Sequence, residues 1–150
     1  MPKPLPWVKL GLGNIATLLA IYLYDTKTAL LIVLVRVVVG AFLLGTFGSP
    51  SFVLSLSGGI SSALVMGALR VVVKKQLSVV GVSIVGALTH NITQLFFAYL
   101  LIVKNFQIVY LFPVLMLPAV LTGVLVGMIT FFFLKQVETI GFSTPHWYAP

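Results

Sequence analysis

Five long apolar stretches, separated by short polar breaks, leave this chain few ways to fold. They run over residues 10–24, 28–46, 52–73, 77–103 and 108–134. The breaks are Asp25-Thr26-Lys27, Phe47-Gly48-Ser49-Pro50, Lys74-Lys75 and Lys104-Asn105, and Lys135 closes the last stretch. A helix crosses a hydrocarbon core of roughly 30 Å with about 20 apolar residues. The first stretch is short for that, and the other four suffice. Strands of a membrane barrel would alternate apolar and polar over about 10 residues. Runs such as Val37-Val38-Val39 do not alternate. A soluble domain carries roughly 25% charged residues. This chain of 150 residues is 60% hydrophobic and 7% charged, too little to cover a water-exposed surface. The expected fold is an all-α, polytopic transmembrane bundle of about five helices. It forms one integral, multi-pass membrane domain over residues 1–150.

The same scarcity of charge excludes whole classes of chemistry. The acids are Asp25 and Glu138, the histidines His90 and His146, and there is no cysteine. Thiolate chemistry, a disulfide and a zinc site of Cys and His are ruled out. No carboxylate cluster can hold Mg²⁺, so no cofactor and no metal are expected. The net charge of +7 comes from basic residues scattered along the chain, not from a stripe that would attract nucleic acid. In a membrane protein those residues report orientation first. Lys27, Arg70, Lys74, Lys75 and Lys135 fall on one side, and Lys3, Lys9 and Lys104 on the other. The first group marks the cytoplasmic side. Residues 139–150, with Phe142, His146, Trp147 and Tyr148, read as an interfacial anchor.

Polar residues inside the apolar stretches point to function. Arg36 stands mid-way along the second stretch. A charge there costs at least about 2.5–3.5 kcal/mol on insertion scales, and arginine does not shed its proton. Both acids belong to predicted cytoplasmic ends. An anionic ligand would compensate Arg36; snorkelling or hydrogen bonds to neighbouring amides and carbonyls are the alternative. In the fourth stretch, Thr89-His90-Asn91-Ile92-Thr93-Gln94 places His90 and Gln94 one turn apart on one face. Asn91 stands about 100° away around the axis. These groups either bond to other helices or line a polar pocket. Ser55, Ser57, Gly58 and Gly59 form a small polar mouth at the start of the third stretch. Ahead of the first stretch, Gly11 and Gly13 suit a tight turn or a close backbone approach. Asn14 is placed to cap the following helix, and Trp7 and Lys9 suit an interfacial anchor or the pocket.

Two stripes of small residues recur every four positions: Ser55, Gly59, Ala63 and Gly67 in the third stretch, and Ala119, Gly123 and Gly127 in the fifth. Membrane helices associate through such stripes, here within one subunit or with a partner subunit. Pro113 and Pro118 stand early in the fifth stretch, and Pro118 is expected to kink it.

Lys9-x-Gly-Leu-x-Asn14, Arg36-x-x-x-Gly40, Phe52-x-x-Ser55-x-x-Gly58-Gly59 and His90-Asn91-x-x-Gln94 occur in that order. Together they resemble the Gx transporter family, also labelled heptaprenyl diphosphate synthase component I. That family resembles the substrate-binding S components of energy-coupling factor transporters. The resemblance covers residues 4–134. It implies a six-helix fold, here without its first helix, which in such systems helps to dock a coupling subunit. It also implies a pocket near the outer surface, roofed by residues 2–14, 47–51 and 104–107. Substrate-binding residues would be Arg36, His90, Asn91, Gln94, Asn14, Lys9, Ser55 and Ser57.

Three functions compete. In the first, the chain captures a small, partly apolar, anionic solute, such as a vitamin, isoprenoid or quinone precursor. It then passes the solute inward with a transmembrane coupling subunit and ABC ATPases, since the chain has no phosphate loop of its own. In the second, it is a non-catalytic membrane subunit or tether of a prenyl diphosphate synthase. The paired Asp-rich motifs of such catalysts are absent, so the chain is not expected to be an enzyme. In the third, it is a structural membrane protein without a ligand, which leaves Arg36 unexplained. Membrane lipid is a partner in every case, and nucleic acid in none.

Overall fold

The computed structural model describes residues 6–73, 76–104 and 106–141, without the side chains of residues 6–12, 106 and 109. These residues form five α-helices and, among them, no strand. The helices are α1 (Pro6–Leu23), α2 (Thr26–Leu44), α3 (Pro50–Val73), α4 (Val79–Ala98) and α5 (Phe112–Thr139). The last four are long and apolar enough to cross a membrane; for α4 the span runs on to Val103. The chain is a multi-pass membrane helix bundle.

Local chemistry sets the helix ends. Asp25 caps α2, its carboxylate accepting from the Thr28 amide at 2.7 Å. Hydrogen bonds from Thr28, side chain first and backbone second, hold the Asp25 carboxyl below its ordinary pKa. Gly45, at φ 64°, ends α2 in the left-handed conformation that glycine tolerates. Pro50 opens α3, where a missing N–H is harmless, and Ser49 Oγ accepts from the Phe52 amide. Ser78 caps α4 through the Gly81 amide at 3.1 Å.

Three expectations from the sequence change here. Residues 6–14 do not form a turn: Gly11 and Gly13 lie inside α1, and Asn14 is a mid-helix residue, not a cap. The fourth span winds as a π-helical turn over Tyr99–Val103 and ends at Lys104 in a left-handed conformation. A 3₁₀ turn, Phe106–Leu111, then precedes α5, which starts and ends later than its apolar stretch suggests.

Each helix packs against the next, and α1 also packs against α3 and α5, closing the ring. The main core lies at one end. It joins Leu18 and Ile21 of α1, Ala29 of α2, Met66 of α3, Val79 and Val82 of α4, and Val126 and Leu134 of α5. A smaller cluster of Val33, Val37 and Ala63 holds α2 to α3. Small residues set the spacing. A Cβ on Gly123 or Gly127 would come within 2.8 or 2.6 Å of the α4 backbone at Ile84 or Val80. A Cβ on Gly59 would come within 2.7 Å of Val33, and one on Gly67 would collide with Thr26. Both stripes therefore meet neighbouring helices of the same chain. The end opposite the main core, where α2 and α4 finish and α1 and α3 begin, is left open.

Candidate functional site

The open end holds a cavity of about 580 Å³. Its polar lining comes from four helices: Asn14 of α1, Arg36 of α2, Ser55 of α3, and His90 and Gln94 of α4. One face of α2 supplies most of the apolar wall, through Val37, Gly40, Ala41 and Leu44, and Phe52 of α3 completes it. Thr46 and Ser51 stand at the mouth. Beside them, Phe47 stacks on Phe42 at 4.6 Å and packs against Phe52 at 5.0 Å. An aromatic row thus borders the entrance between α2 and α3.

Arg36 is half-buried and seated between two glycines. Its guanidinium lies against Gly13 of α1, where any Cβ would collide with Arg36 Nη1. A Cβ on Gly59 of α3 would lie 3.9 Å from Arg36 Nη2. No carboxylate neutralises the charge. Asp25 caps the far end of α2, about 16 Å away at 1.5 Å per residue, and Glu138 stands in the last turn of α5. The cavity therefore contains a permanent positive charge without an ion-pair partner among the described residues.

His90 is 8% exposed, and its Nδ1 is buried without a hydrogen-bond partner among the described residues. The ring fits because residue 58 is glycine: a Cβ there would lie 3.1 Å from His90 and 3.0 Å from Gln94 Cγ. Buried polar groups cost free energy unless paired. An imidazole and an amide one turn apart beside an arginine can together grip a ligand's polar head.

Two other residues expected in the pocket lie outside its lining. Asn91 donates through Nδ2 to the Leu115 carbonyl at 3.0 Å, tying α4 to α5. Ser57 donates back to the Val53 and Leu54 carbonyls of its own helix. Of the stretches expected to roof the pocket, residues 47–51 border it through Ser51, whereas Lys104 and Gln107 are absent from the lining. The Lys9 side chain, Lys3, Lys74, Lys75 and the aromatic residues of the tail fall outside the described residues.

Of the wall residues of α2, only Gly40 stood in a motif of the sequence reading. Helical period groups them, since positions 37, 41 and 44 recur at four- and three-residue spacing and Gly40 stands one turn from Arg36, but it does not tell a cavity wall from a lipid-facing one.

Residues 1–133 match the family described as heptaprenyl diphosphate synthase component I, nearly the whole apolar bundle and every residue of the cavity. The chain belongs to that family. Neither a curated protein nor a solved structure matches the chain. The family description names a component of a synthase. Within the described residues of this member, no three His, Cys, Asp or Glu side chains gather where a metal ion could be held. Both acids stand outside the cavity.

Proposed function

We propose that this family member is a membrane-embedded solute-binding subunit, which captures a small, partly apolar anion in the cavity at the open end. One observation carries the reading: Arg36 lines that cavity with no carboxylate partner among the described residues, beside His90, Gln94, Asn14 and Ser55. An unneutralised arginine inside a membrane bundle is costly, and a bound anion offsets that cost. The valine, leucine and phenylalanine walls accept the apolar part, as pockets of this size commonly do.

In this reading the Lys27, Arg70 and Lys135 end faces the cytoplasm of a bacterial cell and the cavity opens outward. Resemblance to the S components of energy-coupling factor transporters supports transport with a coupling subunit and ABC ATPases as partners. The family description favours a second reading, a non-catalytic membrane subunit that holds a heptaprenyl diphosphate synthase at the bilayer.

Purification of the tagged chain from its native membrane in mild detergent separates the two. Mass spectrometry of the co-purified proteins recovers an ATPase and a coupling subunit if the chain is a transport subunit. Recovery of a soluble prenyl synthase subunit instead makes the tether the correct reading.

A further inference from the structure

Resting on the reading of the cavity as an anion site, we infer that the head group it takes is a monoanion of carboxylate type and not a diphosphate. Charge is the first argument. Arg36 is the one cation among the described residues that line the cavity. Lys9 stands one turn before Gly13 on α1. Even with its ammonium added, two charges meet a diphosphate that carries about two to three negative charges near neutral pH and is ordinarily held by Mg²⁺ or several cations. The described residues offer no carboxylate group to share such a metal, because both acids stand outside the cavity. In a site walled by hydrocarbon, each uncompensated charge is expensive.

Geometry is the second argument. A guanidinium presents a rigid fork of N–H donors that grips two oxygens of one acid group, carboxylate or phosphate alike, so the second phosphoryl group of a diphosphate would be left to uncharged donors. Gly13 and Gly59 flank that fork, so it is held between α1 and α3 and does not sweep the cavity freely. The remaining polar groups, Gln94, Asn14, Ser55 and His90, offer uncharged hydrogen bonds that serve one small head group.

Two probes with the same ten-carbon tail test the inference: geranate, a carboxylate, and geranyl diphosphate. Each is titrated calorimetrically into the full chain in nanodiscs of zwitterionic lipid, with empty nanodiscs as the blank and without Mg²⁺. The expected result is tighter binding of geranate than of geranyl diphosphate. Arg36→Gln is expected to weaken geranate at least tenfold, and Arg36→Lys to weaken it less. If Arg36→Gln does not fold, the ranking of the two probes on the unaltered chain still decides the matter. Tighter binding of geranyl diphosphate, lost on Arg36→Gln or Arg36→Lys, would overturn the monoanion inference and leave the anion site standing. Binding of neither probe, or binding that no Arg36 variant alters, would remove the anion site and the inference with it.

Discussion

The guanidinium of Arg36 on α2 rests against the bare Cα of Gly13 on α1, and no side chain larger than hydrogen fits between them. Gly13→Ala therefore pushes Arg36 aside. In an ordinary helix the change to alanine is favourable by roughly 0.8–1.0 kcal/mol. Helix propensity and ligand binding should then move in opposite directions. The expected outcome is a chain that unfolds no earlier than the original in detergent but binds geranate about tenfold more weakly. Unchanged affinity would show that Arg36 reaches the ligand from another rotamer.

Gly127 and Gly40 make a matched pair. A Cβ on Gly127 would lie 2.6 Å from the Val80 Cα, a backbone atom that cannot yield without moving α4. A Cβ on Gly40 meets nothing within 4 Å. Gly127→Ala is expected to destabilise the bundle by about 1–3 kcal/mol, as overpacking does. Gly40→Ala is expected to leave stability unchanged or raise it, by up to about 1 kcal/mol from helix propensity. Reversible unfolding in mixed micelles measures both, and equal effects would contradict the close α4–α5 contact.

Much of this architecture is legible in the sequence because the membrane allows so little else. A backbone in hydrocarbon must satisfy its own hydrogen bonds, so apolar stretches read directly as helices. Of the two readings open for the glycines at the start of α1, the tight turn fails and the close approach holds at Gly13. Gly11 and Gly13 weaken a helix in isolation, yet inside the bundle the second of them admits Arg36. Arg36 itself was conspicuous because its charge is costly there. Its neighbours on α2 were not, since valine, alanine and leucine look alike on a wall and against lipid. Polarity alone misled at Asn91 and Ser57. Asn91 points around the helix toward α5, and the Ser57 hydroxyl is taken up by carbonyls one turn back. The π-helical turn at Tyr99–Val103 leaves no trace in hydropathy at all.

Asp25 couples stability to pH. Its folded pKa is depressed by the hydrogen bonds from Thr28. The stabilisation is complete above the unfolded carboxyl value of about 3.9 and fades as the pH falls through that value toward the lower folded one. Asp25→Asn keeps an acceptor for the cap but removes the titration. Thermal unfolding between pH 6 and pH 3 is expected to drop less for Asp25→Asn than for the original chain. Parallel pH profiles would show that the cap does not contribute to acid sensitivity.

Thr130 of α5 has no exposed surface, and its Oγ1 has no hydrogen-bond partner among the described residues. A buried hydroxyl without a partner costs about 1–3 kcal/mol. Valine keeps the branched shape and replaces the hydroxyl with a methyl group. Thr130→Val is therefore expected to stabilise the chain, by about 1–2 kcal/mol on that scale. Ser62, buried on α3 with an equally unpartnered Oγ, should respond to alanine in the same direction. Its gain should be smaller, because Ser62→Ala removes volume without replacing it. Equilibrium unfolding of the two variants against the original chain measures both signs. A loss of stability in Thr130→Val would mean that its hydroxyl is bonded in the folded protein.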